Sequence, residues 1–141
     1  MISVLEEKDA IRDLMSEYCF YIDNGEFEKF AGLFTADGVF ETGPLGKLKG
    51  RKAIHDFIAA HVPRLGEGPI RKHCTMNHLI RVKGKEASAD SYIVMLREIE
   101  TGVVASFAGR YEDKLVKENG EWRFRLRKIH FDITGDLGLK K

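Results

Sequence analysis

From residue 70 onward the chain alternates apolar and polar side chains almost without interruption, and glycine-bearing turns cut that run into four pieces. Period-two alternation over such lengths marks half-buried strands, because successive side chains leave a pleated backbone on opposite faces. The predicted strands are Ile70–Lys83, Ala87–Glu98, Val103–Lys117 and Glu121–Ile133, joined at Lys83-Gly84-Lys85, Thr101-Gly102 and Glu118-Asn119-Gly120. Turns this short make each strand antiparallel to the one before it, so the second half reads as a meander of successive hairpins. A sheet of this kind has an apolar face that another layer must cover.

The first half supplies that layer. Ser3 and Glu6 have the spacing of a capping box, which predicts a helix start. Ile11, Leu14, Met15, Tyr18 and Ile22 then recur at helical spacing along one stripe. Asp23-Asn24-Gly25 breaks the helix, and a short second helix is expected over Glu26–Phe34 with Phe27, Phe30, Leu33 and Phe34 facing inward. Ala36-Asp37-Gly38 reads as a turn into a short strand, Val39–Thr42, followed by a loop at Gly43–Gly46. A third helix is predicted from Arg51 to about His61, stopped by Pro63. The glycine-rich stretch Arg64–Pro69 is the candidate mobile rim. Three helices followed by a meander is an α+β order, expected as one domain over residues 1–141. A twisted sheet curled around the first helix leaves a pocket between the two.

Charge excludes several partners. Lys and Arg number 23 against 22 Asp and Glu, a net charge of +1, so no uniform field favours nucleic acid or an anionic membrane. The basic run Arg123–Lys128 alternates with apolar residues and reads as one charged strand face. The two cysteines, Cys19 and Cys74, fit a reducing compartment and read as small buried hydrophobes. The N-terminal residues lack a basic flank and apolar run of a signal peptide, and no segment has the ~18 apolar residues of a bilayer span, so a cytoplasmic location is expected. The chain has no phosphate loop, dinucleotide fingerprint or nucleophile elbow. His55 and His61 do not share a helix face at zinc-ligand spacing, and neither a metal nor a cofactor is expected.

The candidate chemistry lies at the ends of two predicted elements. Asp23 closes the first helix, and His73 stands near the start of the first long strand. A carboxylate that orients an imidazole is the minimum apparatus for taking a proton from a carbon acid. Tyr18, on the same helix, is a candidate hydrogen-bond donor. Blander readings stay open: Asp23 as a cap of the second helix, His73 as a surface histidine, Tyr18 as a core tyrosine whose hydroxyl finds a partner. His78 falls opposite to His73 on an unbulged strand, and His130 could reach the pocket mouth. Phe20, Phe27, Phe57, Met76 and Met95 are the expected apolar walls, suited to a ring-containing hydrophobic substrate.

These residues carry a family resemblance. The segments are Ile11–Leu14 with Tyr18 and Asp23; Leu33-Phe34 with Asp37, Gly38 and Phe40; Gly50–Ile54; His73 with Asn77; Gly109–Asp113; and Gly120–Phe124. In this order the chain resembles the NTF2-like superfamily and, within it, the SnoaL-like group of small cone-shaped α+β proteins. The resemblance implies three N-terminal helices on a curved, mixed or antiparallel sheet enclosing a pocket. Hexachlorocyclohexane dehydrochlorinase, scytalone dehydratase and bile acid 7α-dehydratase are the members with the most similar chemistry. Their aspartate and histidine fall on Asp23 and His73, and a tyrosine or lysine falls on Tyr18. A functional arginine falls on Arg127, expected to stabilise an anion. Parity with Trp122, Phe124 and Leu126 sets Arg127 on the opposite face, so it needs the arginine side to face the cavity, or a bulge. There are departures as well: Ile22 stands where scytalone dehydratase has a tyrosine, and no second histidine occurs near Gly109. The resemblance implies a cofactor-free lyase or isomerase acting on a small hydrophobic molecule. The alternatives are a non-catalytic binding or assembly domain and the small subunit of a ring-hydroxylating dioxygenase. It also implies a homodimer or homotrimer, with the strands near Tyr92–Leu96 and Trp122–Leu126 as candidate contacts.

Overall fold

The computed structural model describes residues 2–140. Helix α1 spans Val4–Asp23 and opens on the expected capping box. The Glu6 N–H donates to Ser3 Oγ at 3.2 Å, and the Ser3 N–H donates to Glu6 Oε1 at 3.3 Å. Its buried stripe is Ile11, Leu14, Met15, Tyr18, Cys19 and Ile22. Helix α2 is shorter than expected, Phe27–Ala31. Leu33 and Phe34 leave it for the sheet: the Leu33 carbonyl accepts from the Phe124 N–H at 2.8 Å, and strand β1 already runs from Phe34 to Glu41. Ala36-Asp37-Gly38 is therefore a bulge within β1 rather than a turn before it, with the register slipping between Phe34 and Val39. A 3₁₀ turn at Gly43–Leu45 leads into the short strand β2, Lys47–Lys49, and helix α3 occupies Arg51–His61 ahead of Pro63.

Strands β3 (Arg71–Lys83), β4 (Glu86–Ile99), β5 (Gly102–Glu118) and β6 (Glu121–Thr134) form the predicted meander. The sheet order is β2-β1-β6-β5-β4-β3. Strand β1 lies parallel to β6 while the other neighbours are antiparallel, so the sheet is mixed. The sheet curves around α1 and packs against α3 through β1.

Bulges give the sheet its curl and decide which side chains face inward. In β6, Leu115 pairs with Phe124 while Lys114 pairs with Leu126, so Arg125 is the extra residue. Trp122 and Phe124 face the interior before the bulge, and Arg127 and Ile129 after it. The bulge thus overturns strict parity and turns Arg127 inward. In β3 the register slips between Met76 and Leu79, with Asn77 at φ +58°. Met76, three positions from His73 and ahead of the slip, points outward by ordinary alternation, while the slip brings His78 to the inner side with His73, contrary to the unbulged expectation. A third slip lies at Ala108/Gly109. There a Cβ on Gly109 would lie 2.0 Å from the His130 carbonyl oxygen, so only glycine permits this approach. Trp122 is 4% exposed, and its Nε1–H donates to Glu7 on α1 at 2.6 Å, which removes it from any outer contact surface.

The deepest polar feature is the pair formed by Arg127 and Asp113. Arg127 Nε donates to Asp113 Oδ1 at 2.9 Å and Nη2 to Oδ2 at 3.3 Å, with both side chains fully buried. The guanidinium carbon lies 3.5 Å from the Tyr111 ring centroid, 4.2 Å from that of Tyr18 and 4.4 Å from that of Phe124. Burial pushes the Asp113 carboxyl up to about 6 against the pull of Arg127. Among the described residues, no helix is long and apolar enough to cross a membrane.

Two variants test these placements. Arg127→Met leaves Asp113 buried without its partner and should cost about 3–5 kcal/mol in urea unfolding, whereas adding Asp113→Leu should recover most of that loss. A single-variant cost below about 1 kcal/mol would contradict the pairing. Gly109→Ala must displace backbone at the β5–β6 slip, and a loss of about 1–3 kcal/mol is expected by the same measurement.

Candidate functional site

Helix α1 ends and strand β3 begins at the same rim of the sheet, which brings residues fifty positions apart into contact. Asp23 is the last residue of α1, and its carboxylate meets His73 twice. Asp23 Oδ1 lies 2.6 Å from His73 Nδ1, and Oδ2 accepts the His73 backbone N–H at 2.9 Å. The two side chains are only 8% and 7% exposed. Asp23 therefore does not cap α2, which starts without any side-chain cap, and His73 is not a surface histidine. With Nδ1 facing the carboxylate, the bond favours a proton on Nδ1 and leaves Nε2 as the basic nitrogen. Nε2 has no hydrogen-bond partner among the described residues.

His73 lines a mostly apolar cavity of about 80 Å³ between α1, α3, the sheet face and the C-terminal tail. Tyr18 lines it as well, and its hydroxyl accepts from the Tyr111 hydroxyl at 3.1 Å. That donation leaves the Tyr18 proton free for an oxygen in the cavity. Burial pushes the Tyr18 phenol up to about 12, so it stays protonated across the physiological range. Phe57 on α3 and Met95 on β4 form walls of the cavity, as expected.

Other expected residues sit elsewhere. Phe20 is 66% exposed, since two helical positions from both Tyr18 and Ile22 places it on the far side of α1. Phe27 is buried, but beneath the Arg64 guanidinium at 4.5 Å rather than in the cavity. Met76 is 38% exposed because, three positions from His73 on an unbroken stretch of β3, it lies on the outer face. Arg127 faces inward yet does not border the cavity; it lies behind the Tyr18 and Tyr111 rings, committed to Asp113. It touches the site only through those rings. His130 turns away and meets Glu112 at 3.0 Å. Cys19 is buried, and that burial raises its thiol to about 11, consistent with a packing role.

Three contributors escaped the sequence reading. Arg71 borders the cavity at 5% exposure; standing two positions before His73 on one strand, it shares that residue's face, a signal the alternation already contained. Tyr111 belongs to a segment with family character, but only the fold pairs its hydroxyl with Tyr18. The rim comes from the tail, where Leu137 and Leu139 border the cavity; no periodicity marked them. The Arg64–Pro69 stretch does not border it and is held to the α1–α2 turn by Arg64 Nη1 donating to the Gly25 carbonyl at 2.5 Å.

Comparisons with known proteins agree with this architecture. A family model described as a SnoaL-like domain matches residues 3–128. The chain is similar to an Asp-to-Asn variant of a Mycobacterium tuberculosis protein of unknown function, at 30% identity and a TM-score of 0.81, covering 89% of this chain and 72% of that one. It shares its fold with a candidate scytalone dehydratase from Novosphingobium aromaticivorans, at 22% identity, TM-score 0.77 and 97% coverage of both chains. The beta subunit of a candidate aromatic-ring-hydroxylating dioxygenase from the same organism also shares it, at 20% identity, TM-score 0.76 and 88% coverage of both chains. No curated protein matches. With its fold, its cavity and a family match over nearly its whole length, the chain belongs to the SnoaL-like domain family of NTF2-like proteins.

Proposed function

We propose that this chain is a cofactor-free lyase or isomerase that takes a proton from carbon in a small, mostly apolar molecule. The observation that carries this reading is the double contact of Asp23 with His73, which leaves one basic nitrogen at the wall of an apolar cavity. In the proposed step, Nε2 forms a bond to a hydrogen on the carbon beside a carbonyl. The C–H electron pair moves toward the carbonyl, and the oxygen that gains charge accepts the Tyr18 hydroxyl. The electrons then return to form a carbon–carbon double bond as a neighbouring hydroxide or halide departs, taking the proton if it leaves as water. Without a leaving group, return of the proton to another carbon gives an isomer. Asp23 stabilises the imidazolium formed in between and keeps the ring in one orientation. Positioned general-base catalysis of this kind contributes roughly 10²–10⁴-fold.

Arg127 supports the reading in a different role from the one expected by resemblance. Its charge lies against the Tyr18 ring and draws the phenol toward easier hydrogen-bond donation, while the anion itself meets Tyr18. The candidate scytalone dehydratase with the same fold is consistent with elimination chemistry, and the dioxygenase beta subunit with an assembly role.

The decisive experiment screens small β-hydroxy ketones, enolisable ketones and vicinal halides by mass spectrometry, in deuterated and ordinary water. Turnover or deuterium uptake at carbon is expected, falling 10²–10⁴-fold in His73→Ala and by at least tenfold in Asp23→Asn, with circular dichroism showing that both variants stay folded. Full turnover in His73→Ala would remove the catalytic reading. Tight binding across the panel without product or exchange would leave a non-catalytic ligand-binding domain.

A further inference from the structure

The cavity wall holds a charge that pairs with no carboxylate among the described residues. Arg71, the first residue of β3, is 5% exposed and borders the cavity beside His73. Among the described residues no carboxylate forms an ion pair with it, and its one hydrogen bond runs from Nη2 to the Gly138 carbonyl at 2.8 Å. Its Nε is buried without a partner. Burial, then the neighbouring Arg97, lower its pKa from the ordinary arginine value, with Asp23 too far to pair but pulling the other way. A guanidinium this enclosed is costly unless an anion meets it. Arg97 is differently placed: it donates to Ser106 Oγ at 3.0 Å and lies 3.6 Å from Asp136.

We propose that Arg71 is the anchor for a carboxylate on the molecule that fills this cavity, so that the substrate class is small apolar carboxylic acids. This rests on the cavity being the substrate site and deepens that reading by naming what the substrate carries. A guanidinium offers a planar fork: Nε has no partner and Nη2 is held by the Gly138 carbonyl, and together they match the two oxygens of a carboxylate. A phosphate group would bring further oxygens and charge to a wall whose other members, apart from His73, Tyr18, Tyr111 and Thr42, are apolar side chains. Arg71 and His73 stand on one strand face roughly 7 Å apart, so one compact molecule can hold its carboxylate at Arg71 and present a C–H to His73.

The tail belongs to the same arrangement. Gly138 sits at φ +67°, where an added Cβ would lie 2.9 Å from Arg71 Nη2 and 2.8 Å from Arg97 Cδ. Only glycine lets the tail lie this close. The cavity of about 80 Å³ beneath it is smaller than the 150 Å³ hole that accepts benzene in an engineered core. Entry of a ring-sized acid therefore lifts Leu137 and Leu139, and the ligand carboxylate takes up the interaction that the Gly138 carbonyl makes in the closed form.

Calorimetric titration of the full chain with benzoate and with its neutral isostere benzamide tests the proposal. The wild type should bind benzoate at least tenfold more tightly than benzamide. Arg71→Met should abolish that preference to within about twofold. Arg71→Lys, which retains the charge without the fork and guards against a methionine variant that does not fold, should reduce the preference at least threefold. The preference should persist in Asp23→Asn, so loss of turnover there with benzoate selectivity intact separates the chemistry from the anchor. Equal binding of the two probes, no binding of benzoate, or an undiminished preference in the Arg71 variants overturns the proposal.

Discussion

One carboxylate holds the working end of this molecule together. Asp23 receives both the backbone N–H and the ring Nδ1 of His73, so the end of α1 is fastened to the start of β3 by two hydrogen bonds from one side chain. That fastening closes the cone where the helix layer and the sheet would otherwise part. It also sets the imidazole's rotation, because one carboxylate oxygen is held by the backbone N–H while the other meets Nδ1. Structural closure and chemical orientation are one interaction here, which is why the site lies at the rim of the sheet and not at its centre.

The centre does different work. Arg127 and Asp113 form a fully buried pair, and three aromatic rings crowd the guanidinium within 4.4 Å. Exchanging such a pair for hydrophobes is often neutral or stabilising, so its presence is weak support for stability as such. Its consequence lies at Tyr18, a cavity-lining residue whose ring rests on the guanidinium and whose hydroxyl accepts from Tyr111. The charge sits one layer behind the cavity and acts through the phenol.

Much of this was legible in residue pattern. The capping box at Ser3, the α1 stripe, the limits of α3 and the four long strands all follow from local chemistry. The meeting of Asp23 and His73 was legible too, though through family resemblance and helix-end position more than through spacing. What pattern could not supply was the bulges. Strict alternation put His78 on the face away from His73 and Arg127 on the face away from Trp122, and one extra residue in each strand reversed both, whereas Met76, three positions from His73, was already excluded by parity. Ala36-Asp37-Gly38 carries turn chemistry yet forms a bulge in β1, because Leu33 and Phe34 are captured by β6. Phe20 failed for a simpler reason: helical geometry already excluded it from the Tyr18 face. Arg71 was available from period-two parity with His73, whereas Leu137 and Leu139 occupy a tail whose placement depends on distant arginines.

The central claim is that Asp23 locks His73 with a proton on Nδ1 and an unprotonated Nε2 toward the cavity. The most direct measurement is the ¹⁵N–¹H NMR spectrum of the imidazole, recorded where the ring is neutral. The account predicts a single Nδ1–H tautomer with a strongly downfield Nδ1 proton, and ring nitrogens that average toward both tautomers in Asp23→Asn. A wild-type His73 already exchanging between tautomers, or carrying its proton on Nε2, would contradict it.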